Sequence, residues 1–162
     1  MSKETVNFSC GHSETQQFYG KHADRVSRLE WLERGVCREC FRVEQIKKRA
    51  EESTAAAEQA KNNGLPPLVG SDKQIAWAET IRKNALDSES NAVISTEKYE
   101  EEYAKLTAEE QKNQATKIFE SMLSARNRLE TETAARWWID NRDTVNRYVR
   151  EQGIEASKKI AA

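Results

Sequence analysis

The sequence predicts a mostly α-helical protein carrying a small α+β head at its N-terminus. Three observations predict it. Chemistry-bearing Cys and His residues are confined to positions 10–40. Long Pro-free and Gly-poor stretches with apolar residues at helical spacing follow from position 41 onward. Both prolines fall in one short run, Gly64-Leu65-Pro66-Pro67-Leu68-Val69-Gly70, that divides the Cys/His-bearing head and the polar stretch after it from the helical tail. An adjacent Pro pair removes two N–H donors and biases each preceding residue away from α, so helix cannot continue through it.

The head begins with Val6-Asn7-Phe8-Ser9-Cys10, which alternates apolar and polar residues as a short strand does. Gln16 to Gly20 is its expected return strand. Period two sets Cys10 and His12 on one face, with Gly11 between them. Asp24 is placed to cap a helix from Arg25 to Arg34. Val26, Leu29, Trp31 and Leu32 are expected to turn inward, and Gly35 stands at the C′ position.

Cys37-Arg38-Glu39-Cys40 follows at once. With Cys10 and His12 it supplies four soft or borderline ligands in two pairs, the set that tetrahedral Zn²⁺ prefers in closed structural sites. N–H groups of the Cys-x-x-Cys turn and of the next helix can point at the sulfurs and keep them ionised. His22 is the other histidine and an alternative fourth ligand to His12. Three buried cysteines with a surface histidine, or a redox Cys-x-x-Cys, are the competing readings; no βαβ pattern surrounds the pair to favour redox chemistry. If all four positions of the ion are filled by protein, none remains for an activated water, which argues against zinc catalysis.

Phe41 to about Asn62 reads as a long helix by propensity. Its first half has a stripe at Val43, Ile46 and Ala50; its second half has only alanines for a face and reads as a solvated spacer. Ser71-Asp72-Lys73-Gln74 has the spacing of a capping box. It starts a helix from Asp72 to about Leu86, with Ile75, Trp77, Ala78, Ile81, Ala85 and Leu86 on the buried arc and Lys73, Glu79, Arg82 and Lys83 mainly outside it. A short helix is expected from Ser95 or Thr96 through Leu106. Thr107-Ala108-Glu109-Glu110 reads as a second capping box for a helix striped by Ala115, Ile118, Phe119, Met122, Ala125 and Leu129. After an interruption near Thr131–Thr133, Ala134 to Val149 makes one more stripe that ends before Gly153. These helices are expected to form a small antiparallel bundle. The domain reading is therefore a head at 1–42, a linking helix at 43–63, a Pro/Gly hinge at 64–71, a bundle at 72–152 and a loose tail at 153–162.

Charge narrows the function. Of 162 residues, 33% are charged and mean hydropathy is −0.89, which is thin for one large core. Net charge is −1 overall, distributed as +3 over residues 1–50, −6 over 51–116 and +2 over 117–162. That is not the strongly basic footprint of a protein whose affinity comes from neutralising phosphates. No apolar run approaches a membrane span and the N-terminus lacks the apolar core of a secretion signal, so a cytoplasmic protein is expected. Trp77 and Trp137 are expected in the core. Trp138 with Arg142, Arg147 and Arg150 forms the expected partner-binding surface. No Ser/His/Asp set, phosphate loop or HExxH appears, and Asp140 and Asp143 are flanked by arginines suited to ion pairing, so an enzyme is not expected.

Cys10-Gly11-His12, Phe18-Tyr19-Gly20-Lys21 and Arg28-Leu29-Glu30-Trp31-Leu32-Glu33 before Cys37-x-x-Cys40-Phe41 resemble the zinc-ribbon head, treble-clef-like in outline, of small accessory proteins of phages and mobile elements. Gly70 to Arg82 and Ala135-Arg136-Trp137-Trp138-Ile139-Asp140-Asn141-Arg142 are similar to two tail segments that recur in those proteins. Together these segments span about half the chain. In such relatives the first ligand pair often reads as two cysteines, and His12 departs from that. Accessory proteins of this origin include anti-CRISPR and other anti-defence factors. The resemblance implies stoichiometric association with a host nucleic-acid-handling protein complex, such as a CRISPR nuclease, and no catalysis. The alternative is a sequence-nonspecific DNA- or RNA-binding accessory protein using the basic head and the tail arginines.

Overall fold

The computed structural model describes residues 2–93 and 95–161. The chain divides into two compact units, Met1–Glu51 and Glu52–Ala162. The protein is mostly helical, with one two-stranded antiparallel sheet among the described residues.

In the first unit β1 (Ser2–Asn7) pairs with β2 (Ser13–Phe18), with Ser2 opposite Phe18 and Asn7 opposite Ser13. Alternation turns Val6 and Phe18 inward, and these join Phe8 and Cys37 in a small core with Leu29 and Leu32 of α1 (His22–Arg34) packed against it. Cys10 and His12 lie in the turn between the strands, not on a strand face. Gly11 takes φ 82° there, a left-handed conformation that breaks the period of two. α1 also starts three residues before Arg25. Gly20, at φ 103°, turns the chain early enough for Lys21 to be the N-cap, which leaves Asp24 inside the first turn instead of capping it. Trp31 is 71% exposed, contrary to its expected inward placement, and Val26 is exposed too. The core is small enough for two leucines to close it. Gly35 ends α1 with φ −92°, so its backbone is not left-handed. α2 (Arg38–Asn62) starts inside the Cys37–Cys40 turn rather than after it.

The second unit is built on α3 (Asp72–Asp87), α5 (Glu109–Thr131), α6 (Ala135–Asp140) and α7 (Tyr148–Ala161). α5 packs against α7 and α3 against α6. Their common core contains Leu68, Ala78, Ala85, Ala125, Leu129, Ala135, Trp138, Val145 and Val149. The Ser71–Gln74 capping box forms in both directions. The second expected box does not: Ala108 is the N-cap of α5 and no side chain caps it. α4 (Thr96–Ala104) is the expected short helix, with Ser95 accepting the Lys98 N–H. Val69 and Ala134 make a single parallel bridge, with Val69 N–H donating to Thr133 O at 2.7 Å and Ala135 N–H donating to Val69 O at 3.0 Å.

Three further expectations are corrected. The buried face of α3 is rotated: Ala78, Glu79, Arg82 and Ala85 are buried, while Trp77 is 51% exposed. Alanines let a neighbouring helix approach closely, and the Glu79–Arg82 charges enter the interior as a pair. The stretch 134–149 is not one helix, because α6 ends at Asp140 and a 3₁₀ turn at Val145–Arg147 leads into α7. Gly153 does not stop α7. A β-carbon there would sit 3.0 Å from Met122 Cγ, so glycine spares the Met122 side chain a shift where α5 and α7 pack. Residues 153–161, expected to be loose, are the continuation of that helix; Ala162 lies outside the described residues.

Candidate metal centre

Two pieces of chain carry the four donors. One is the turn of the β1–β2 hairpin, closed by Phe8 N–H donating to His12 O and Gly11 N–H donating to Phe8 O, each at 2.9 Å. The other is the first turn of α2. They are pinned together just before the knuckle, where the Gly35 carbonyl accepts both the Ser9 N–H at 3.0 Å and the Ser9 hydroxyl at 2.9 Å. The buried Cys37 follows two residues later.

Cys10, His12, Cys37 and Cys40 come together with their ligand atoms all within 4.8 Å of one another. His12 Nδ1 lies 3.7 Å from Cys37 Sγ and 3.3 Å from Cys40 Sγ. A tetrahedral ion with sulfur at about 2.3 Å and nitrogen at about 2.0 Å needs sulfur and nitrogen about 3.5 Å apart. The two separations from His12 Nδ1 to sulfur lie close to that value, and the four donors could hold a metal ion. His22 opens α1, exposed, and is not a member of the group. Between the two histidines, the geometry selects His12.

Backbone donors serve the sulfurs. Cys37 N–H donates to Cys10 Sγ at 3.2 Å and Cys40 N–H to Cys37 Sγ at 3.4 Å. The Cys37 N–H, followed by the His12 N–H, brings the Cys10 thiol down to about 6. The Cys40 thiol is pushed up to about 11, first by its hydrogen bond with the Cys37 sulfur, then by burial and by Cys10. Crowded sulfurs of this kind disfavour a further negative charge, and a cation removes that penalty. The free cysteines form no disulfide with one another.

The expected partner surface is only partly exposed. Trp138 is wholly buried, and its Nε1–H donates to Glu132 O at 3.2 Å; an indole with its one donor satisfied belongs to the core. Trp137, half-buried, meets Trp138 and Tyr148 edge-on at ring separations of 5.2 and 5.9 Å. Arg142 is exposed and lies over the ring of Trp77, 5.9 Å from its centroid. Arg147 pairs with Glu151 at 3.4 Å, and Arg150 is exposed. Asp140 and Asp143 pair with Arg136 and Arg142, at 3.4 and 3.6 Å. The aromatic partner of Arg142 is thus Trp77, which ranking side chains by hydrophobicity had put inside. The signal that finds it is the spacing of three between Glu79 and Arg82, which lets two charges enter the interior as a pair and turns the buried face away from Trp77.

Among the described residues no helix is long and apolar enough to cross a membrane. No protein-family model, curated protein or solved structure matches the chain.

Proposed function

We propose that this is a non-enzymatic, zinc-stapled binding protein that acts by stoichiometric association with a nucleic-acid-handling protein complex of its host, as an inhibitor of a CRISPR nuclease would. The observation that carries the reading is the closed set of three thiols and one imidazole within 4.8 Å. Such a set favours Zn²⁺ over harder cations and leaves no position for a reacting water. Among its described residues the first unit buries only four core side chains, Val6, Phe8, Phe18 and Cys37, and a unit of that size gains its stability from a bound ion. A hairpin, a Cys-x-x-Cys turn and a following helix gathered on one donor cluster support the reading of the head as a zinc-ribbon or treble-clef-like unit. The exposed Trp77–Arg142 pair supplies the residue types that dominate protein interfaces.

The test is reconstitution. Tag-free protein is assayed for metal, then used to capture partners from host lysate at physiological salt, and the purified partner is titrated back. One zinc per chain and saturation at a fixed stoichiometry support the reading. Absence of zinc, or recovery of nucleic acid alone with a steep loss of binding as salt rises, overturns it.

A further inference from the structure

The first half of α2 presents an apolar stripe that no described residue of the first unit covers. Val43 is 56% exposed and Ile46 57%, and Ala50 is exposed beside them. The 3,4 spacing of these residues puts them on one side of the helix, the arrangement that receives a second helix. Their position is fixed from below, because Cys40, one turn before Val43, belongs to the donor cluster.

Cations border the stripe. At 100° per residue Arg42 and Arg49 fall along one flank and Lys47 along the other. Two of the acids near them form exposed pairs: Glu39 holds Arg42 through two bonds, at 2.7 and 3.1 Å, and Glu51 lies 3.9 Å from Lys47. The long Lys47–Glu51 pair contributes little and exchanges readily for another carboxylate, and among the described residues no acid is paired with Arg49 in the same way. The same cations exclude a second copy of this chain as the occupant. Parallel pairing of two stripes sets Arg42 against Lys47 of the other copy, and antiparallel pairing sets Arg42 against Arg49. Both place like charges together across the seam.

We propose that this face docks an acidic amphipathic helix of a partner protein. Apolar side chains at 3,4 spacing would lie on Val43, Ile46 and Ala50, and flanking Asp or Glu residues would reach Arg42, Lys47 and Arg49. The proposal deepens the binding function above and rests on it, naming the surface and the chemistry of what it takes.

The experiment is selection of displayed helical peptides from a random library on the full-length protein as purified, followed by fluorescence anisotropy with the enriched peptides. Enriched sequences are expected to carry Leu, Ile or Phe at 3,4 spacing flanked by Asp and Glu. Their affinity is expected to fall at least tenfold for Ile46→Glu and for the Lys47→Glu/Arg49→Glu double variant. Both variants change exposed positions, and unchanged metal content and circular dichroism verify that they fold. No enrichment, a neutral or basic consensus, or affinity unaffected by Ile46→Glu overturns the proposal. So does a dimer in light scattering that Ile46→Glu dissolves, or displacement of the peptide by duplex DNA. A protein that carries no metal yet binds the acidic helix through Ile46 would sink the zinc reading and leave the docking face standing.

Discussion

Arg82 holds Glu79 inside the second unit, its Nη2 lying 2.9 and 2.7 Å from the two carboxylate oxygens, with both side chains nearly withdrawn from water. Nη1 of the same arginine donates to the Pro66 carbonyl at 2.7 Å, so one guanidinium joins α3 to the Pro-containing run. Two charges removed from water tolerate each other's presence but not each other's loss. Glu79→Ala is expected to cost about 3–5 kcal/mol, because it strands the Arg82 charge in the interior. The Glu79→Leu/Arg82→Met double variant is expected to cost less than that single change. Urea unfolding of the two proteins checks this, and additive losses would be inconsistent with a coupled pair.

The two tryptophans at positions 77 and 138 should respond in opposite ways. Trp138→Ala empties a fully buried site at the centre of the second unit's core, and is expected to cost about 3–5 kcal/mol. Trp77→Ala removes a ring that is half exposed and capped by Arg142. Its cost is expected to stay near or below about 1 kcal/mol, while any partner affinity that uses this surface falls. Thermal melts of both variants decide the first point, and titration with the captured partner decides the second.

Asn91 replaces secondary structure where three segments meet. Its Nδ2 donates to Ala85 O at 2.8 Å and Val145 O at 2.7 Å, and its Oδ1 accepts the Val149 N–H at 2.9 Å. It is fully buried, and these three bonds satisfy the end of α3 and the start of α7. Asn91→Leu is nearly the same size but leaves the Val149 N–H without its acceptor, while Ala85 O and Val145 O keep only the N–H groups of Ser88 and Tyr148. A loss of about 2–4 kcal/mol is expected. The amide of Val149 should also exchange faster with solvent in the variant, a readout that separates a lost hydrogen bond from mere repacking.

What could be read from the sequence was what single residue types dictate. Sulfur donors have few other reasons to occur at this spacing in a chain this polar, so Cys10, Cys37 and Cys40 were identifiable before any fold was known, whereas the fourth donor stayed open between His12 and His22 until the hairpin turn set His12 beside the sulfurs. The Ser71–Gln74 cap was equally legible, because its chemistry is local. What failed were choices between two faces of one helix. On α3, the expected arc held Ala78 and Ala85, which are buried, but hydrophobicity drew Trp77 into it as well, whereas the buried face turns the other way and takes in Glu79 and Arg82, which enter as a pair because they are three residues apart. Gly153 misled for a related reason: the same residue that ends helices also sits where two of them pack, and nothing local to residues 148–156 says that Met122 faces it.

A metal ion held by Cys10, His12, Cys37 and Cys40 should be removable, with consequences confined to the first unit. Its donors must be deprotonated, so protons compete with the metal at every one of them. The sign follows directly: binding, and the stability it lends the first unit, is greatest at and above neutral pH and is lost as pH falls. Acidification, or a strong chelator at neutral pH, should therefore unfold the hairpin and the first turn of α2 while the second unit keeps its helical signal, because that unit's core contains none of the four donors. Cys37→Ser should reproduce the effect without either treatment, since Cys37 is both a donor and one of the four core side chains of its unit. Amide spectra of the full chain resolve the two units separately. Loss of the β1–β2 amides on chelation, with those around Trp138 unmoved, is the expected outcome. Retention of the β1–β2 pattern in metal-free Cys37→Ser protein would mean that four core side chains suffice and that no ion is needed.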